Sequence, residues 1–338
     1  MADSSLELAP SNPDNYEIRT SLKNNSSSSW STCTGYGRYS DVFEGVNVQT
    51  ALRCAIKSLK TTRDDHIRRE IKVLEALRGG VNIITLLDIV TGDQDRPTSL
   101  VFELADHVDF RSLYPRFSSA DVRFYTRELL RALEFAHDKG VMHRDVRPHN
   151  VLIDPAERRL RLIDWGSAEF YEPRTEYTVR VGRAFFKAPE LLLHHGEYDY
   201  GVDMWQVGAM LAGMVFRREP FFHGASSADM LGRMARVLGT SGLRNYVERY
   251  DMEMADVDDI AVHPRRPWGE FVNDDNRHLA EEDAIDLLDK LLRWDHKVGL
   301  TLQGVVSKGL LCPLLTMMSL GPAKRKAGDR ASLLPRGR

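Results

Sequence analysis

The chain has 338 residues, 42% hydrophobic and 28% charged, which is ordinary for a soluble globular protein of one large or two medium domains. Its formal net charge of −3 is too small to argue for nucleic acid or a membrane as partner. Cys33, Cys54 and Cys312 stand apart with no C-x-x-C spacing, so the simplest setting is a reducing compartment without disulfides.

In chain order, residues 1–15 are polar, contain two prolines and show no basic-then-apolar signal pattern, so they are expected to be a disordered tail. Residues 16–22 alternate as a strand does. Residues 23–29 read as loop, and 30–34 as a short extended piece. Gly35, Tyr36, Gly37, Arg38, Tyr39 and Ser40 then lead through Asp41 into the apolar Val42 and Phe43. Glycines let backbone N–H groups approach phosphate oxygens, but GxGxxS alone suits an empty hairpin turn equally well. Cys54-Ala55-Ile56 ends at Lys57, where an unpaired charge on an apolar strand would be costly. Residues 64–77 predict a helix, with Ile67, Ile71, Leu74 and Leu77 on one face and Glu70 at its edge, placed to pair with Lys57. Runs 83–90 and 99–103 predict strands around a turn-rich 91–97. The apolar pattern stops at Leu104-Ala105-Asp106-His107, where a connection to a helical lobe would fall.

Residues 120–139 predict a long amphipathic helix ended by Gly140. His143-Arg144-Asp145-Val146-Arg147-Pro148-His149-Asn150 follows. Two short strands, 151–153 and 160–163, then lead to Asp164-Trp165-Gly166. Carboxylate, cation, amide and second carboxylate thus sit on loops fixed by strands, an inventory for holding metal-bound phosphates and aiming a hydroxyl at one of them. A loop-like segment ends at Lys187-Ala188-Pro189-Glu190. Asp203 opens an apolar helix to 216 and suits an N-cap; run 204–216 has the length of a buried core helix, not of a membrane span. Helices are expected at 228–238 and 281–294 around a turn-rich 264–275. Residues 321–338 read as a basic tail, in which Lys324-Arg325-Lys326 is a solvated cluster more than a nuclear signal.

H-R-D-x-x-x-x-N, then D-x-G, with Lys57, Glu70 and A-P-E in register, resembles the protein-kinase signature. Gly37-Arg38-Tyr39-Ser40-Asp41-Val42-Phe43-Glu44-Gly45, Asp164-Trp165-Gly166 in place of Asp-Phe-Gly, Phe216-Arg217-Arg218-Glu219-Pro220-Phe221-Phe222-His223-Gly224 and Val237-Leu238-Gly239-Thr240 narrow this further: they resemble the catalytic alpha subunit of casein kinase II, over residues 16–301. The resemblance implies an α+β bilobal protein-kinase fold. Its small antiparallel β lobe with one main helix would span 16–104, with an insert at 23–34, and a larger, mostly helical lobe 105–320. It implies a Ser/Thr kinase that uses ATP, and often GTP, with Mg2+. The family prefers acceptors followed by acidic residues, needs no phosphorylated activation segment, and associates with a dimeric regulatory beta subunit. Localisation is narrowed no further than cytoplasm and/or nucleus.

Carried over by resemblance, Asp145 would orient the substrate hydroxyl, Asn150 and Asp164 would hold magnesium, and Lys57, set by Glu70, would grip the α- and β-phosphates. Thr34, Gly35, Tyr36, Gly37, Arg38, Tyr39, Ser40 and Asp41 would cover the nucleotide. Val42, Ala55, Ile84, Phe102, Glu103, Leu104, Leu152 and Ile163 would form the adenine pocket. Arg180, Arg183 and Lys187 would read acidic substrates. In kinases the residue at Asp203 supports the catalytic loop, the alternative to an N-cap.

The departures are equally specific. Arg147 stands where the family has Lys, and a planar fork does not replace a point charge neutrally. Ala55 is smaller than the family's Val or Ile. Insert 23–34 either displaces the first strand or bulges at its edge. Arg63-Asp64-Asp65-His66 replaces a lysine run, and Ala184 an arginine, which predicts looser acidic selection. Gly299 replaces the Arg that pairs with the A-P-E Glu, here Glu190. The rival reading is a weakly active or inactive kinase-fold scaffold for the regulatory subunit or for substrates; the Pro148-His149 context disfavours a tyrosine kinase.

Overall fold

The computed structural model describes residues 11–21, 40–60, 64–92, 97–252 and 255–298. The early apolar runs pair as one antiparallel sheet of β1 (Tyr16–Ser21), β2 (Ser40–Asn47), β3 (Arg53–Leu59), β4 (Leu86–Val90) and β5 (Ser99–Glu103), in the spatial order β1-β2-β3-β5-β4. Central β3 is flanked on both edges, so Cys54, Ala55 and Ile56 are all buried and the strand reads as a continuous apolar run rather than alternating.

β1 pairs with β2 from Tyr16↔Asn47 to Ser21↔Phe43 around a bulge between Ile18 and Thr20, so the first strand stays in the sheet. Insert 23–34 lies outside the described residues, as do residues 34–39 of the expected phosphate turn, Arg63, Gly299 and the tail from 321. Ser11–Asn15, expected as the end of a tail, instead pack back on the lobe. Ser11 N donates to Ile89 O at 2.9 Å, and Asn12 caps a 3-10 turn over Pro13–Asn15. The strand expected over 83–90 starts later, at Leu86. Ile83 and Ile84 turn away to meet Leu162, Ile84 N donating to Leu162 O at 3.1 Å, and so tie the small lobe to the large one.

α1 (Asp64–Ala76) lies against the sheet with Val73 and Leu74 buried. The large lobe begins with the short α2 (Phe110–Leu113) and α3 (Ser119–Asp138). At the head of α3, Ser118 and Asp121 cap each other's backbone N–H groups. Two hairpin-like pairs follow: β7 (Val151–Asp154) with β8 (Arg159–Leu162), and β6 (Val141–Met142) with β9 (Glu169–Phe170). α4 (Pro189–Leu192) precedes α5 (Gly201–Val215), whose residues from Val202 on are all buried, as expected of a helix apolar on every side. α5 packs between α3 and α9 (Glu282–Leu291); α9 ends before the expected residue 294. α6 (Ser227–Leu238), α7 (Thr240–Arg249) and α8 (Ala255–Asp258) complete the lobe. The turn-rich 264–275 holds a 3-10 turn at Trp268–Phe271, and Trp268 and Phe271 pack with Phe216 and Phe221. Among the described residues no helix is long and apolar enough to cross a membrane.

Candidate active site

The catalytic loop runs from β6 to β7 and is held from beneath by one buried carboxylate. Asp203 lies inside the first turn of α5, not at its cap. Its Oδ2 accepts from His143 N at 2.8 Å and its Oδ1 from Arg144 N at 2.7 Å; His137 Nε2 adds a contact at 2.8 Å. Burial would raise this acid, but these partners win and hold it below the usual range. The N-cap reading therefore gives way to support of the loop. One turn on, Gln206 Oε1 accepts from Val146 N at 2.7 Å and Gln206 Nε2 donates to Arg144 O at 3.1 Å. Together they stabilise a loop in which Arg144 adopts φ 65, a conformation costly for a residue with a Cβ.

So positioned, Asp145 is buried and accepts at Oδ2 from Asn150 Nδ2 at 3.0 Å and from Arg147 Nε at 3.2 Å. Its Oδ1 is buried and has no hydrogen-bond partner among the described residues, which makes it the carboxylate oxygen left to orient a substrate hydroxyl. Burial raises the Asp145 pKa, with Arg147 opposing. Asp164 follows β8 in a left-handed conformation, φ 61, which turns its carboxylate back to Lys57.

Lys57 Nζ sits 2.7 Å from Glu70 Oε1 and 2.9 Å from Asp164 Oδ1. Burial alone would lower its pKa, but the two carboxylates raise it above the ordinary lysine value. Lys57 in turn holds Asp164 down at about 2, so that carboxylate is ionised throughout the physiological range. Gly166 lies close to the pair: a Cβ at that position would come within 3.2 Å of Glu70 Oε2 and 3.5 Å of Lys57 Nζ, so a side chain there would crowd Glu70.

A magnesium ion suits this donor set. Asn150 spends its amide N–H on Asp145 O and Oδ2, which directs its amide oxygen elsewhere, and Asp164 is a permanently ionised carboxylate. Magnesium typically takes one or two such protein ligands and fills the rest with substrate phosphates and water. Accordingly, no cluster of three His, Cys, Asp or Glu side chains fit to cage a metal occurs among the described residues. When bound, the ion would bridge and neutralise phosphate oxygens.

Val42, Ala55, Ile84, Phe102, Leu152 and Ile163 are buried in one cluster, with Leu104 packed at its edge. Ala55 faces Phe102 across β3 and β5. Glu103 behaves differently from the apolar residues. Its Oε1 accepts from Thr85 N, Thr85 Oγ1 and Arg161 Nε at 2.8–3.0 Å, and its backbone N donates to Thr85 O at 3.0 Å, which ties it to the neighbouring chain. Ser40 and Asp41 open β2, and Asp41 pairs with Lys60 at 2.8 Å.

Of the residues expected to read substrate, Arg180 and Arg183 are exposed on the activation segment. Gly182, beside Arg183, lies against the loop: a Cβ there would meet Arg144 O at 3.0 Å. Lys187 turns inward instead; its ammonium donates to Val179 O at 3.1 Å and braces the segment.

Sequence reasoning missed a link between lobes. Glu169 Oε2 takes Arg69 NH1 at 2.5 Å and Arg144 NH2 at 3.5 Å. Arg144 also donates to Ser167 O at 2.7 Å and to the Tyr198 hydroxyl at 3.1 Å. Arg69 follows Arg68 in a helix of charges and carries no local pattern to mark it.

The chain matches the protein kinase domain family over residues 31–311, which spans both lobes and every residue of this constellation. The protein belongs to the protein kinase family. Domains of this family transfer phosphate to proteins and in general use ATP with Mg2+.

Proposed function

We propose that the protein is a Ser/Thr kinase of casein kinase II alpha type. It moves the γ-phosphate of ATP, and of GTP, to Ser or Thr hydroxyls beside acidic residues. The observation that carries the activity is the joined set Glu70–Lys57–Asp164 and Asn150–Asp145. It provides a grip for phosphates, two ligands for metal and an acceptor oxygen for the hydroxyl, the parts that phosphoryl transfer requires. Exposed Arg180 and Arg183 support acidic selection, and the Asp164-Trp165-Gly166 and catalytic-loop sequences support the Ser/Thr type. Exposed Ile18, Val48 and Leu52 offer apolar surface on the small lobe to a regulatory subunit. The cytoplasm or nucleus would be its place of action.

Purified protein with labelled ATP and an acidic Ser peptide tests this reading, with Asp145→Asn as control and neutral Ser and acidic Tyr peptides alongside. Transfer to the acidic Ser peptide, lost in the variant, is the expected result; equal signal from both proteins would overturn it.

A weakly active scaffold is the second reading. It is favoured by Glu190, 1% exposed with no partner for Oε1 among the described residues, since an uncompensated buried acid weakens the anchor of the activation segment. The same assay decides between the two.

A further inference from the structure

A small cavity lies behind the end of the activation segment, between α4, the first turns of α5 and the stretch that follows α9. Glu190, Trp205 and His296 line it and are 1%, 3% and 5% exposed. Each brings one buried polar atom, Oε1, Nε1 and Nε2, with no hydrogen-bond partner among the described residues. Three such atoms left unpaired around one space are costly. Arg293 also reaches the cavity, but its guanidinium is paired with Asp289.

Size and charge narrow what the cavity can take. Its free volume is about 10 Å³, room for one water-sized guest, which excludes a guanidinium or an alkyl chain. The nearby cations are already engaged, Lys297 with Asp199 at 2.7 Å and Arg249 with Asp295 at 2.5 Å. Of the charges acting on Glu190, Asp199 and Asp295 oppose its ionisation and Lys297 favours it. A small cation placed beside Oε1 would offset both acids and the burial.

The other polar atoms allow it. His296 Nδ1 lies 2.7 Å from the Tyr246 hydroxyl of α7, and burial first holds the ring down at about 4, so it is neutral at physiological pH. With the ring hydrogen on Nδ1, Nε2 is an acceptor. The indole N–H of Trp205 can only donate, which favours an ionised acid in the same space.

We propose that this cavity is a binding site for ammonium, a water-sized cation that donates to Glu190 Oε1 and His296 Nε2. Binding releases the Glu190 proton to water. The bound ion ties α4, at the end of the activation segment, to the chain beyond α9. The site is independent of which protein substrates the kinase takes.

Thermal unfolding of the full chain at pH 8.5 tests this, in ammonium chloride against potassium chloride and tetramethylammonium chloride at equal concentration. Potassium has the same charge and nearly the same size but donates no hydrogen bond; tetramethylammonium is too large. Ammonium at ten times its Kd should raise Tm by about 3 °C over both controls. Glu190→Gln should lose that difference. At pH 6 a proton competes for Glu190, whose pKa is pushed up to about 8, so the difference should shrink. The other groups facing the cavity are Asp199, Asp295, Arg293 and Lys297, with His195 and His296 both held below the ordinary histidine value. Equal Tm in all three salts means that water alone fills the cavity, and overturns the proposal. So does a shift that potassium reproduces, one that Glu190→Gln keeps, or one as large at pH 6. The salt and pH comparisons use wild type and decide the matter even if the variant does not fold.

Discussion

Arg147 Nε donates to Asp145 Oδ2 at 3.2 Å, so the cation expected to face the transferred phosphate also holds the carboxylate that orients the nucleophile. Spent in part on that carboxylate, the larger planar fork meets the phosphate less well than the compact point charge of a lysine would. Arg147→Lys is expected to raise kcat about 10-fold, roughly the 1.4 kcal/mol of one improved charge-assisted contact in the transition state. Steady-state kinetics on the acidic peptide measure it, and an unchanged kcat would refute it.

Glu190 predicts an unusual pH profile for stability. Its pKa is pushed up to about 8 by burial, with Asp199 and Asp295 adding to the rise and Lys297 opposing. The ring nitrogens Trp205 Nε1 and His296 Nε2, which line the same pocket as Glu190, also have no hydrogen-bond partner among the described residues. A folded-state value above the unfolded one means that the contribution is full below about 4.5 and is lost as pH rises through about 8. Thermal unfolding of Glu190→Gln should be less pH-dependent across that window, and the variant should be the more stable protein at pH 9. The difference should reach roughly 3–5 kcal/mol, the usual scale for an uncompensated buried charge. Parallel Tm–pH curves for the two proteins would contradict this.

Asp203 acts through the loop it holds. Asp203→Asn replaces an acceptor of two backbone N–H groups by an amide that can offer only one oxygen. The loop should shift by a fraction of an ångström. Since misplacement of about 1 Å can lower a rate by about 100-fold, kcat is expected to fall by 10- to 100-fold while the KM for ATP moves little. With kcat counted per folded molecule, the folded fraction being taken from thermal unfolding, an unchanged kcat would refute this.

Ala55, 0% exposed, is two methyl groups smaller than a Val. Ala55→Val should bind compact adenine-site inhibitors about 10-fold more tightly, from roughly two buried methyl groups at about 0.8 kcal/mol each. Calorimetry giving equal affinity would remove the prediction.

Much of this site was legible because its parts are local in sequence. Asp145, Asn150 and Asp164 lie on two neighbouring loops, and Lys57 and Glu70 on adjacent elements with clear periodicity, so their spacing matched the kinase signature and that resemblance brought the two groups together. The five strands and the long α3 were legible for the same reason. The role of Glu169 was not, and that of Asp203 came only through the kinase resemblance, which offered support of the catalytic loop as the alternative to an N-cap. Asp203 reaches a loop some 60 residues earlier in the chain, and a buried helical Asp looks like a cap until that contact is known. The contact of Arg111 with His149 spans 38 residues and carries no local signature. Strand β4 was overextended because Ile83 and Ile84 are as apolar as a strand requires, although they are buried against Leu162 of the other lobe.

The single oxygen Glu169 Oε2 receives Arg69 from the small-lobe helix and Arg144 from the catalytic loop. This carboxylate links the small-lobe helix to the catalytic loop with side chains of the chain itself, so treatment with a phosphatase is expected to leave kcat unchanged. Control would have to come from pulling the two lobes apart: whatever draws Arg69 away from Glu169 loosens the loop beneath Asp145 in the same movement.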